Sequence, residues 1–212
     1  MTKVVLFDLD GTLVDAREWH YEALNDALNI FGYKISREEH IKKFDGLSTR
    51  KKLELLTVDQ DLPKALHDIL FEIKQERTLR RIAKDCYPIT SVLVTLTRLS
   101  ALRIKIGLVT NSVKVTTAHM LKFSGIEKYF DLVITNEDVS KPKPHPEGYL
   151  KALEFFGVKA QDAVVVEDGE YGIKAAKDAG IFKILKVNSP LQVTFDRVVE
   201  IAGLLATPGV DN

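Results

Sequence analysis

Short runs of β-branched and aliphatic residues recur along the chain at residues 3–7, 104–109, 132–134, 163–166 and 182–185, and helix-length amphipathic stretches separate the later ones. That alternation of strand and helix predicts a parallel, doubly wound sheet covered by helices. Between residues 16 and 86 the pattern changes. No convincing strand occurs there, and "WHYEALNDALNIF", "REEHIKKF", "TRKKLELLTV" and "LPKALHDILFEIKQERTLRRI" carry apolar residues at helical spacing. The expected organisation is an α/β core formed by residues 1–15 and 87–212, interrupted by an all-helical cap at 16–86. Because the insertion follows the first strand and its turn, it is expected above the strand's carboxyl end, where open α/β sheets bind ligands.

Composition narrows the classes of partner. The 212 residues are 45% hydrophobic, enough for a sizeable core, and 30 Lys and Arg balance 30 Asp and Glu. Zero formal net charge provides no global field for nucleic acid or an anionic membrane, so neither is expected as a partner. The single cysteine, Cys86, has no internal disulfide partner and is expected to be a buried small hydrophobe. The apolar run after the N-terminus is too short for a signal peptide or a membrane span, and the expected location is the cytoplasm.

The first strand runs into "DLDGT". Alternate strand residues share a face, so Asp8 and Asp10 can enter one pocket where the strand ends, and Gly11 permits a sharp exit. Two anions this close repel, which calls for a cation or for a task in which one acid is ionised and the other holds a proton. An Asp-rich turn with Asp15 as a helix N-cap is the plainer alternative.

Three later stretches repeat the theme. The second strand ends in Thr110-Asn111-Ser112, placing hydroxyls and amides before a helix as a phosphate cradle does, although a plain N-cap uses the same residues. "SKPKPHPEGY" offers Lys141 and Lys143 in a proline-stiffened loop, where lysines are ordinarily solvated. "AVVVE" empties into Glu167-Asp168-Gly169 before a helical pattern closed by Gly180. Capping accounts for one acid, but not comfortably for acids, hydroxyls and a lysine at the ends of separate strands.

In this order the four stretches closely resemble the haloacid dehalogenase superfamily over essentially the whole chain, in particular its phosphatase and β-phosphoglucomutase-like members with a helical cap. The resemblance implies Asp8 as nucleophile, Asp10 as general acid and base, and Thr110, Asn111 and Lys143 as phosphate binders. It also implies Mg²⁺ held by Asp8, by the Asp10 carbonyl and by Asp168, with Glu167 in support. Lys143 fits the family lysine better than Lys141, because the Lys-Pro-x-Pro-acid-x-aromatic pattern starts there.

Within that superfamily Asp10 favours phosphoryl transfer over dehalogenation, since a halide leaving group needs no proton. The expected activity is hydrolysis of a small phosphorylated metabolite through an aspartyl phosphate; a sugar phosphomutase and a catalytically silent protein that binds through its cap are the alternatives. His20 and Gly46 fall where the hinge and specificity loop of the mutase lie, and would then contact substrate. Thr49 stands where the mutase has a phosphate-gripping arginine, with Arg50 beside it as a substitute. Two further departures, Ile89 and Gly169-Glu170, touch no catalytic group. Arg50, Lys51, Lys52 and Lys74 suggest a cap that tolerates a polar or anionic substrate, although such runs are usually solvated helix faces, while Trp19 and Tyr21 are expected to pack.

Overall fold

A computed structural model describes residues 2–204. Its sheet consists of β1 (Val4–Phe7), β2 (Lys105–Val109), β3 (Leu132–Ile134), β4 (Ala163–Glu167) and β5 (Ile184–Lys186), all parallel in the order β3-β2-β1-β4-β5. The chain builds outward from β1 on one side and then returns to its other side with β4. The carboxyl ends of β1 and β4 are therefore the crevice of a doubly wound sheet. The fifth strand begins two residues later than the sequence pattern implies, because Phe182 points to solvent.

Strand periodicity splits the core into two layers. Val5, Phe7, Val164 and Val166 face α5 (Thr90–Ala101), α6 (Lys114–Phe123) and α9 (Phe195–Ala202). Val4, Leu6, Ala163 and Val165 face α7 (Glu147–Phe156) and α8 (Glu170–Asp178), whose Tyr149, Ala152, Ala175 and Ala176 fill the other layer.

Between β1 and β2 lie α1 (Arg17–Asn29), the single turn α2 (Arg37–Glu39), α3 (Thr49–Gln60) and α4 (His67–Asp85). They bury a core of their own, with Leu24, Leu28, Phe44, Leu53, Leu56 and Leu70 fully or nearly enclosed. Helix α4 packs on both α1 and α6, which ties this segment to the sheet layers. Asp15 does not cap α1: the N-cap position is Ala16, with no side-chain bond to the helix. Cys86 is only partly buried, against the layer of α5 and α6. Trp19 packs on that same layer and Tyr21 on the helical core, edge-on to His40 at 5.1 Å. Among the described residues no helix is long and apolar enough to cross a membrane.

Candidate active site

Asp8 and Asp10 leave β1 into different surroundings. Asp8 is buried and accepts a 2.7 Å hydrogen bond from Lys143 Nζ. Asp10 is turned toward the helical segment and the β2 loop, accepting from His20 Nε2 at 2.8 Å and from Ser112 Oγ at 2.6 Å, with Thr110 Oγ1 at 3.5 Å. Burial alone would raise the Asp10 pKa, but His20 and Ser112 bring it down to about 2. Gly11 then turns the chain at φ +83°; a Cβ there would lie 2.1 Å from Asp168 Oδ2.

The lysine loop and the fourth strand meet at Asp8. Lys143 Nζ also donates to Glu167 Oε1 at 2.7 Å. Burial works against its charge, yet the two carboxylates raise its pKa well above the ordinary lysine value and hold the ammonium protonated. Lys141, two residues earlier, is exposed. The other oxygen of Glu167 accepts from the backbone N–H groups of Asp168 and Gly169, at 2.8 and 2.9 Å. Both Glu167 oxygens are therefore engaged, and the residue orients Lys143 and the β4–α8 turn. Gly172 makes room for it: a Cβ at that position would stand 1.4 Å from Glu167 Oε1.

Asp168 faces Arg17, the first residue of α1, whose Nε donates to Oδ2 at 2.8 Å. Burial, and then Glu167, raise the Asp168 carboxyl to about 7 despite the guanidinium. Carboxylate oxygens of Asp8, Glu167 and Asp168 come within 4.8 Å of one another. Such a cluster of hard oxygen donors fits a divalent cation. Asp8 and Asp168 would hold it by side chains. Asp10 would contribute through its carbonyl, to which no N–H of the described residues donates, because its carboxylate is committed to His20 and Ser112.

The helical segment closes over these groups. His20 Nδ1 receives Lys74 Nζ at 3.1 Å, so its proton sits on Nε2, the nitrogen that faces Asp10. Burial and the neighbouring ammonium lower the His20 pKa and keep the ring neutral. Asn111 Nδ2 donates to the carbonyls of Gly46 and Lys143, both at 3.0 Å, while its Oδ1 accepts from Lys143 N. Its side chain is thus a clamp between the two halves of the site rather than an open phosphate ligand. Thr110, buried, and Gly46 line the same cavity, which measures about 470 Å³ and suits a small molecule.

Of the residues expected from sequence, Asp8, Asp10, His20, Gly46, Thr110, Asn111, Lys143, Glu167 and Asp168 are brought together. Arg50 is not. It stacks 4.8 Å over Phe71 and pairs with Asp68 at 2.7 Å on the outer surface of the helical segment. The cavity also contains Arg17, Ser112, Lys52 and Lys74. The spacing of buried residues in α4, at Leu70, Lys74, Thr78 and Ile82, marks Lys74 as inward-facing, and this signal is readable in sequence.

Residues 5–186 match the family described as haloacid dehalogenase-like hydrolase. The phosphorylated carbohydrates phosphatase of Thermotoga maritima is 29% identical over 87% of this chain and 85% of its own length. A pyrophosphatase PpaX of Bacillus cereus is 31% identical over 83% of this chain and 79% of its own. In fold, the chain superposes on β-phosphoglucomutase from Clostridium difficile with a TM-score of 0.82 and 24% identity, over 96% of this chain and 98% of that one. CbbY from Rhodobacter sphaeroides, solved with phosphate, gives a TM-score of 0.80 at 22% identity, over 89% of this chain and 88% of that one.

Proposed function

Because this chain belongs to the haloacid dehalogenase-like hydrolases, we propose that it is a Mg²⁺-dependent phosphatase of a small phosphorylated metabolite, with helices α1–α4 acting as a cap over the site. The observation that carries the reading is the separation of two acids only two residues apart: Asp8 lies against the Lys143 ammonium, and Asp10 against neutral His20 and the Ser112 hydroxyl. One carboxylate is held for attack on phosphorus and the other for proton transfer.

In the first step Asp8 Oδ bonds to phosphorus and the bond from phosphorus to the ester oxygen breaks; the leaving oxygen takes a proton from Asp10, whose carboxylate, ionised in the resting site, first takes that proton up from the His20 Nε2–H that faces it. In the second, water attacks the aspartyl phosphate, Asp10 takes its proton, and Asp8 is released with inorganic phosphate. Lys143, fixed by Glu167, offsets charge on the transferring group, and the Thr110 hydroxyl is placed to hold one of its oxygens. A bound Mg²⁺ would supply further neutralisation of the phosphoryl oxygens. Closure of the cap, through Asn111 on Gly46 and His20 on Asp10, keeps bulk water from the acyl phosphate.

A mutase is disfavoured because no arginine of the Thr49-Arg50 pair reaches the cavity as a cation: Arg50 is engaged with Asp68 and Phe71. A silent binding protein has no chemical need for two buried carboxylates in such different settings. The test is release of inorganic phosphate from p-nitrophenyl phosphate. Turnover with Mg²⁺, reversible loss with a chelator and full loss in Asp8→Asn are expected; undiminished turnover in excess chelator, or none under any condition, would reject the proposal.

A further inference from the structure

Arg17 opens α1, where the chain leaves the sheet for the helical segment. Its Nε and Nη2 both donate to Asp168 Oδ2, the former at 2.8 Å. Gly11 leaves room for this pair, since a Cβ there would stand 2.5 Å from Arg17 Nε and closer still to Asp168. Three residues along α1, His20 donates to Asp10. Positions 17 and 20 share a helix face, so the first turn of α1 is moored to the sheet by two side chains, each on a carboxyl group of the site.

Helix preferences do not explain Arg17. A cation in a first turn opposes the helix dipole, and no side chain caps α1. What favours the guanidinium is Asp168, with Asp45 and Asp15 adding to the field around it. Yet Asp168 is also one of the three acids whose oxygens gather within 4.8 Å of one another and fit a divalent cation. A guanidinium and a divalent cation on one carboxylate repel each other, and water screens them little where that side chain is only 11% exposed.

We propose that Arg17 is a latch that competes with the divalent cation for Asp168, so that cation binding displaces the guanidinium and leaves the first turn of α1 held by His20. The inference rests on the Mg²⁺ requirement in the phosphatase reading above. Linkage makes the effect reciprocal: the cation loosens the attachment of the cap, and the attachment weakens the cation. The cap is then freest to admit substrate once the cation that the reaction needs is in place.

Calorimetric titration of Mg²⁺ into the full chain stripped of metal, with no phosphate ester present, compares the wild type with Arg17→Gln. The variant is expected to bind Mg²⁺ at least about fivefold tighter. Hydrogen exchange read by mass spectrometry is the second arm. Mg²⁺ is expected to speed exchange of the α1 amides from His20 to Leu24 in the wild type, whereas in Arg17→Gln these amides are already fast without it. A smaller gain in affinity, or the loss expected if Arg17 only orients Asp168, would overturn the proposal. So would amides that Mg²⁺ slows or leaves unchanged in the wild type. Arg17→Met is measured in the same way should the glutamine variant not fold. Mg²⁺ binding to neither protein would overturn the latch together with the metal requirement, while equal binding to both would overturn the latch alone.

Discussion

Lys143 reaches across 135 residues of sequence to donate to Asp8, 2.7 Å away, and the same ammonium donates to Glu167 at 2.7 Å. Two carboxyl groups and one ammonium are thus buried together; burial pushes the Asp8 pKa well up while Lys143 opposes it, and removing the cation would leave the two carboxyl groups facing each other.

Lys143→Ala is accordingly expected to lower kcat/KM at least about 100-fold and to cost about 3 kcal/mol of stability, while Lys141→Ala changes activity within about twofold. Steady-state kinetics and urea unfolding of both variants decide it. Equal losses would mean that the ammonium beside Asp8 is not part of the reaction.

Gly172 is the hidden partner of that arrangement. A methyl group there would overlap Glu167 Oε1, so Gly172→Ala must move the carboxylate that holds Lys143. Overpacking of this kind costs about 1–3 kcal/mol, and a drop in kcat is expected with it. A variant with wild-type melting temperature and kcat would show that α8 can retreat and that Glu167 need not be held so closely.

The acids and the lysine were legible because each closes an apolar run or a proline-stiffened loop, and a parallel sheet gathers strand ends at one edge. Asp8, Asp10, Lys143, Glu167 and Asp168 all follow from that rule. Finer roles do not. Asn111 reads as a phosphate ligand beside Thr110, but its amide is used up between Gly46 and the Lys143 backbone, a choice made by the closing of two segments on each other. Glu167 reads as metal support, and only the geometry shows both its oxygens engaged by Lys143 and the turn.

The cap basic residues show the opposite kind of miss. "TRKK" looks like one solvated run, yet helix phase turns Arg50 and Lys51 outward and Lys52 inward with Leu53 and Leu56. Lys74 lies at four-residue spacing in the buried stripe of α4, where an apolar residue would be the usual occupant. Arg17 carried no signal, because its partner Asp168 is 151 residues away.

His40 gives a prediction for stability against pH. Its pKa is lowered to about 4 by burial and by Lys52, below its ordinary value of 6.5. The unfolded chain therefore binds the proton first, so this contribution is fully present above pH 6.5 and is lost as pH falls from there through about 4. Allowing for screening by the solvated cavity, it amounts to about 1–2 kcal/mol. Urea unfolding at about pH 7.5 and about pH 5 should show a smaller difference in His40→Leu than in the wild type. An equal difference in both would remove His40 from the acid response.

The two acids that end β1 separate most sharply by their phosphorylated forms. Asp8→Asn replaces the attacking carboxylate with an amide oxygen, a poor nucleophile toward phosphorus, so no turnover and no covalent species are expected. Asp10→Asn leaves Asp8 and Lys143 in place but removes the carboxylate to which His20 and Ser112 are bonded. With p-nitrophenyl phosphate the leaving group needs little protonation, so Asp8 can still be phosphorylated, whereas water in the second step lacks its base. The phosphoenzyme should therefore accumulate in Asp10→Asn. Rapid acid quench and intact-protein mass spectrometry would find one added phosphoryl group, removed by hydroxylamine as an acyl phosphate is, and peptide mapping would place it on Asp8. A label on Ser112 or His20, or a phosphorylated Asp8→Asn protein, would transfer the nucleophile's role elsewhere. No label in Asp10→Asn would mean that Asp10 is already required when the bond to phosphorus forms, and the ionised carboxylate would then have to gain a proton before the first step, through the His20–Lys74 side of the pocket that faces it.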